Sequence, residues 1–230
     1  MTFVIRKKMI ALFALFFVVI FSFGFFVSNA VQVDSITPIG ITIAIDAGHG
    51  GVDGGSVGKN GTIESELNLK YAQKLTNYLE SFGITVINTR TTNEGLYDGM
   101  TDDYKLVDMK KRADIINQSN AQLLISIHMN KFTDSSENGA QVFFEQENED
   151  SEKLANSIRD MLVVNFENAR PLTLAGDYYI LNNTDPIGVI VECGFLSNPD
   201  EEQLLNNDEY QNKMCYSIYS GIINYLGVAY

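Results

Sequence analysis

The 230-residue sequence predicts an α/β fold, a mostly parallel open twisted sheet of about six strands with helices on both faces. Two observations point there directly. Strand-like and helix-like segments alternate along most of the chain, and the strand-like ones are near-continuous apolar runs, as strands covered on both sides are. A third is permissive: the roughly 200 residues beyond Ala30 are enough for one domain with a full core.

Taken in order, residues 1–30 hold no acid, three bases (Arg6, Lys7, Lys8) and an uncharged apolar run from Met9 to Val27, which reads as an export segment. Its length lies between the ~7–15-residue core of a cleaved signal peptide and the ~20 residues of a spanning helix. The small residues Ser28–Ala30 favour cleavage over retention as an N-terminal membrane anchor. The basic flank stays inside, so the rest of the chain is expected outside the cytoplasmic membrane. Residues 31–40 read as a linker with one Pro and one Gly, and 41–230 as one domain.

Ile41 to Ala47 reads as a buried strand, running into a glycine-rich loop that extends to Gly61. From Ile63 to about Ser81, Leu67, Tyr71, Leu75, Tyr78 and Leu79 recur at helical spacing. Ile84 to Arg90 is the second strand, and Leu106 to Gln118 a helix with Val107, Ala113, Ile115 and Ile116 on its apolar side. Gln122 to His128 is the third strand and Gly139 to Glu145 the fourth, followed by a helix from about Ser151 to Phe166. Tyr178–Leu181 and Gly188–Glu192 read as two further strands. NPDEEQLL, from Asn198, opens a helix with acids in its first turn, and a last amphipathic helix runs from about Asp208 to Leu226.

Acidic residues outnumber basic ones 29 to 16, for a formal net charge of −13. Nucleic-acid binding rests on concentrated positive charge and is excluded as a partner class; the acidity reads as solubility. Membrane contact is expected only through the N-terminal segment. Cys193 and Cys215 both fall inside apolar periodic segments, where a small buried thiol is a common filler, so free thiols are expected even in an exported chain.

In sheets of this kind ligands gather outside the carboxyl ends of the strands. The chain has only two histidines. His49 falls just past the first strand, His128 closes the third, Glu192 closes the strand from Gly188, and Glu64 opens the first helix at the same edge. Two imidazoles and a carboxylate beside an open position are the composition of a catalytic zinc site, with a second carboxylate placed to take a proton from water. Gly48, Gly50 and Gly51 let the backbone turn sharply and approach an ion. A histidine after a strand is more often a hydrogen-bonded loop residue, and these spacings match no short local zinc signature. On the residues alone both readings stand.

The stretches IDAGHGGVDGGSVGKNGTIES, SIHMN and VIVECGFLSNPDEEQLL carry more. In this order they resemble the three signature blocks of the zinc-dependent N-acetylmuramoyl-L-alanine amidases, the family-3 type that trims bacterial peptidoglycan, and the likeness runs from Ile41 to about Leu226. Position by position, the resemblance implies that His49, Glu64 and His128 bind Zn2+ and that Glu192 is the catalytic carboxylate. Glu66 competes with Glu64 but points off another face of the helix. Ser65 stands where family members commonly have a basic residue. Arg90 and Arg112 match places where the family often has arginine and are candidates for orienting stem-peptide carboxylates. Asn130 is a weaker substrate candidate, and like Asn198 suits a turn. Asp46 is a candidate hydrogen-bond partner of a ligand histidine or a brace for the glycine turn.

The implied fold is phosphorylase/hydrolase-like and the implied reaction is hydrolysis of the amide between N-acetylmuramic acid and the L-alanine of the stem peptide, so the partner is peptidoglycan, a glycan strand with its stem peptide. An export segment followed by one catalytic domain, with no room between Lys131 and Ile190 for an obstructing helical insertion, resembles the sporulation and germination amidases of this family, which prepare spore cortex for muramic δ-lactam formation. That places the domain at the cell wall or spore cortex, secreted or N-terminally anchored; whether an accessory protein assists is left open. The alternatives are an exported zinc carboxypeptidase or peptidase acting on stem peptides, and a non-catalytic peptidoglycan-binding protein on the same fold.

Overall fold

The computed structural model describes residues 40–97, 99 and 102–228. The chain divides into two units at residues 36 and 37, and the described residues belong to the second. The expected export segment and nearly all of the expected linker lie outside the described residues. Among the described residues, no helix is long and apolar enough to cross a membrane.

Six strands, β1 (Thr42–Ala47), β2 (Thr85–Asn88), β3 (Leu123–Asn130), β4 (Gln141–Glu145), β5 (Leu174–Gly176) and β6 (Ile187–Phe195), form one sheet in the order β2-β1-β3-β6-β4-β5. β2, β1, β3 and β6 are mutually parallel, β4 runs antiparallel to β6, and β5 runs with β4. The sheet is therefore mostly parallel, as the sequence predicts. The helices are α1 (Glu64–Ser81), α2 (Tyr104–Gln118), α3 (Glu149–Asn165), α4 (Tyr179–Asn182), α5 (Pro199–Leu205) and α6 (Asp208–Tyr225).

Side chains alternate across a strand, so the central strands feed two cores. Ile43, Ile45, Leu123, Ile125, Ile127, Val189 and Val191 pack with Leu67, Leu75 and Leu79 of α1, Leu154 and Ile158 of α3, and Ile218 and Ile222 of α6. Ala44, Leu124 and Ile190 face the other way, against Ala113 and Ile116 of α2 and Ile180 and Leu181 of α4. Burial on both faces is why these strands read as continuous apolar runs rather than alternations. Three of the helix starts are capped locally. Asn148 and Asn207 each accept a backbone N–H from the first turn of α3 and α6, and Asn198 accepts from Asp200 and Glu201 ahead of Pro199 at the start of α5.

Among the differences from the sequence reading, three bear on the site. Tyr178–Leu181 is not a strand; the edge strand lies upstream at Leu174–Gly176, and Tyr179–Asn182 is one helical turn. The adjacent residues Ile180 and Leu181 are both buried in the same small core, which a helical turn permits and a strand's alternation does not. A four-residue apolar run holds too little periodicity to decide this beforehand. β3 and β6 also continue past the expected ends, to Asn130 and Phe195, so His128 and Glu192 lie inside strands and face one another across the ladder just before its register shifts. Cys193 and Cys215 are both buried and unpaired, as expected.

Candidate metal centre and active site

The site begins where β1 runs out. The Gly48 N–H donates to the Ile127 carbonyl at 3.0 Å. A Cβ on Gly48 would sit 2.2 Å from the His128 ring, so this close approach of loop to imidazole requires glycine. His49 follows in the left-handed region, at φ +60°, which is uncommon for a residue with a side chain and marks a turn held by its surroundings. Those surroundings are visible: Arg112 donates to the His49 carbonyl at 2.5 Å and to the Ala47 carbonyl at 2.6 Å.

The turn aims His49 at α1. Its Nδ1 lies 2.9 Å from Asp53 Oδ2 and its Nε2 3.2 Å from Glu64 Oε1. His128 Nδ1 lies 3.0 Å from the same Glu64 oxygen, and the two imidazoles stand edge to face with centroids 5.0 Å apart. One ligand atom from each of His49, Glu64 and His128 lies within 4.8 Å of the others. Glu64 is buried at the first position of α1, where the helix dipole favours a carboxylate. It also accepts N–H groups from Ser56 at 2.7 Å, Met129 at 3.3 Å and Asn68 at 3.3 Å. Glu66 is exposed and takes no part.

Burial disfavours charge on Glu64, yet hydrogen bonds from His128 and His49 hold its carboxyl far below the usual range. The converse applies to His49: burial opposes protonation, and Glu64 and Asp53 overcome it and raise its pKa to about 9. The carboxylates around the two imidazoles thus favour positive charge in this pocket. Two nitrogen donors and one carboxylate around a demand for positive charge, open to a cleft, fit zinc.

Glu192 stands beside this group from β6, Cα-paired with His128. Its Oε2 is enclosed and has no hydrogen-bond partner, and burial, only partly offset by His128 and His49, lifts its pKa to about 7. A cleft of about 350 Å³ opens over these residues, walled by Lys105, Met109, Tyr178 and Tyr179.

Several candidate residues have other work. Arg90 and Arg112 are 3% and 1% exposed, and Arg112 is among the residues lining the cleft. Arg90 donates to the carbonyls of Ala47, Gly48, Ser65 and Thr92. Arg112 pairs with Asp46 at 2.7 Å and Asp108 at 2.5 Å. Both therefore brace the loop that presents His49. Asp46 touches neither imidazole; it accepts from Thr89, Ser126 and Arg112. Asn130 lies outside the cleft lining, accepting the Lys131 N–H on its side chain and the Leu196 N–H on its carbonyl. The residue that does orient His49 is Asp53, which the sequence reading missed; the only available signal was an acid four residues after the histidine inside a glycine-rich turn.

A family model described as N-acetylmuramoyl-L-alanine amidase matches residues 43–224. The chain belongs to the N-acetylmuramoyl-L-alanine amidases. It is 40% identical over 191 residues to the germination-specific N-acetylmuramoyl-L-alanine amidase of Bacillus subtilis strain 168, a match covering 81% of this chain and 80% of that one. Among solved structures it is similar to the CwlD amidase of Clostridioides difficile in complex with the GerS lipoprotein, with TM-score 0.78, 37% identity and coverage of 82% of this chain and 100% of that chain. An N-acetylmuramoyl-L-alanine amidase from Clostridium difficile 630 matches with TM-score 0.73 and 31% identity, over 81% of this chain and 97% of that one. The amidase fold is thus the six-stranded sheet described above, and the activity is that of a peptidoglycan amidase, a hydrolase of the cell wall.

Proposed function

We propose that this amidase is a zinc enzyme in which His49, Glu64 and His128 hold the ion and Glu192 moves the proton. The observation that carries the reading is the enclosed, unpartnered Glu192 oxygen beside a converging His–Glu–His group. Zinc, when bound, supplies a Lewis acid that polarises the amide carbonyl and acidifies water. The chain's own residues do the rest. Asp53 accepts a hydrogen bond from His49 Nδ1, which leaves Nε2 as a lone-pair donor. Glu192 accepts the proton of the attacking water and delivers it to the departing amine of L-alanine, so one carboxylate serves as base and then as acid.

The same reading places the substrate in spore cortex peptidoglycan, with muramic δ-lactam formation downstream. The germination-specific relative and the CwlD neighbour support it. It takes residues 1–30 as a signal peptide or membrane anchor, 31–40 as a linker and 41–230 as the catalytic domain, exported across the cytoplasmic membrane. An accessory protein belongs to it as well, since the CwlD neighbour was solved with a lipoprotein. Mass spectrometry of muropeptides after digestion tests the chemistry. Lactyl-terminated glycan with intact peptides is the expected product; shortened peptides would mean a carboxypeptidase, and unchanged substrate a binding protein.

A further inference from the structure

The amide cut by an amidase has two arms, glycan on the acyl side and peptide on the amine side, and positioning both limits the freedom of the reacting bond. The cleft over Glu192 lies toward α2 and α4, where Met109, Tyr178 and Ile180 line it. Toward α5, a second groove of about 220 Å³ is lined by Val57, Lys59, Lys131, Phe132 and Ser197. Its walls continue the segments that build the centre. Val57 follows Ser56, which donates to Glu64, Lys131 closely follows His128 on leaving β3, and Ser197 follows the strand of Glu192.

The groove is held in shape. The Phe132 N–H donates to Ser197 Oγ at 3.0 Å, and Glu202 of α5 accepts the N–H groups of Asn60 at 2.8 Å and Thr62 at 3.0 Å. Its lining is mixed in a telling way: Val57 and Phe132 are 50% and 57% exposed, beside two lysines that make no ion pair among the described residues. In a chain of net charge −13, unpaired cations over an apolar surface match an acidic, aliphatic ligand. Lys105, at the other cleft, is already engaged by Asp53 at 3.2 Å.

We infer that this groove is a second substrate subsite, in which Lys59 and Lys131 receive the carboxylates of the stem peptide while Val57 and Phe132 lie under its small side chains. The peptide is the arm that fits, because N-acetylated sugars whose lactyl group is tied up in the amide carry no charge. The inference rests on the amidase reading and goes beyond it by giving each arm a side.

The test is equilibrium binding, by titration calorimetry, of a soluble stem peptide with free carboxylates and of the same peptide with those carboxylates amidated. Wild type should bind the free-acid form about tenfold more tightly, the size expected of two exposed ion pairs. K59A/K131A should lose that preference, K59R/K131R should regain it, and K105A should keep it; a circular-dichroism spectrum and thermal midpoint equal to wild type report that each variant is folded. A preference surviving in K59A/K131A, vanishing in K105A, or absent from wild type overturns the subsite. Muropeptide hydrolysis by the same wild-type preparation is read separately. Cleavage without the preference removes the subsite alone, and no cleavage with the preference intact removes the catalytic reading alone.

Discussion

Glu192 and Asp53 both border the His–Glu–His group, and single substitutions separate the roles proposed for them. Glu192→Gln keeps the shape and removes the group proposed to exchange protons. Turnover should fall at least about a hundredfold while bound metal is unchanged, measured by muropeptide release alongside metal analysis. Asp53→Asn keeps a polar side chain but removes the negative partner of His49 Nδ1. Metal affinity should weaken by roughly 10–100-fold, seen by chelator competition, with hydrolysis recovered in excess metal. Unchanged affinity would mean that the strained backbone at His49 and its carbonyl bond to Arg112 orient the ring unaided. The sequence exposes the first of these residues and hides the second. Histidine is rare in this chain and a carboxylate in an apolar strand is anomalous, so His49, His128 and Glu192 stand out; an aspartate in a glycine-rich turn looks like any turn former.

Between elements, the decisive contact is Arg112 of α2 against Asp46 of β1. Burial alone would raise the Asp46 pKa, but the Arg112 guanidinium, with hydrogen bonds from Ser126 and Thr89, lowers it to about 2. A carboxyl whose folded pKa is depressed stabilises the fold above its unfolded pKa, about 4, and that contribution is lost as pH falls toward 2. Stability against denaturant should therefore fall steeply from pH 4 to pH 2. Arg112→Met leaves two buried acids unpaired and should cost about 3–5 kcal/mol at pH 7. It should also flatten that acid dependence; a variant as stable as wild type would make the pair dispensable. This pairing was not legible in advance, because an arginine on a helix is usually solvated and nothing in its spacing says which sheet residue it meets. Local pattern fails in the same way at Tyr179–Asn182, where packing against the small core decides the conformation.

Over the whole molecule the sequence was at its most legible. Alternation of element types and doubly covered strands follow from periodicity and composition, and the convergence of His49, Glu64 and His128 at one sheet edge follows from parallel topology. Strand order and the reversed direction of β4 and β5 depend on long-range pairing that no local pattern carries. If a metal completes the centre, it binds the folded chain alone and stabilises it, by about 2.7 kcal/mol at a free concentration a hundred times its dissociation constant. Thermal unfolding should shift upward with zinc for wild type and Glu192→Gln, and not for His49→Ala. A shift common to all three would place the metal elsewhere.

The most direct test is the zinc content per chain, by elemental analysis, of wild type, His49→Ala, Glu64→Ala, His128→Ala and Glu192→Gln purified side by side. Wild type and Glu192→Gln should hold about one ion each, as expected of a single three-ligand catalytic site, and the three ligand variants almost none. Zinc retained without Glu64, or lost with only Glu192 changed, would contradict the assignment of one residue to the metal and the other to the proton.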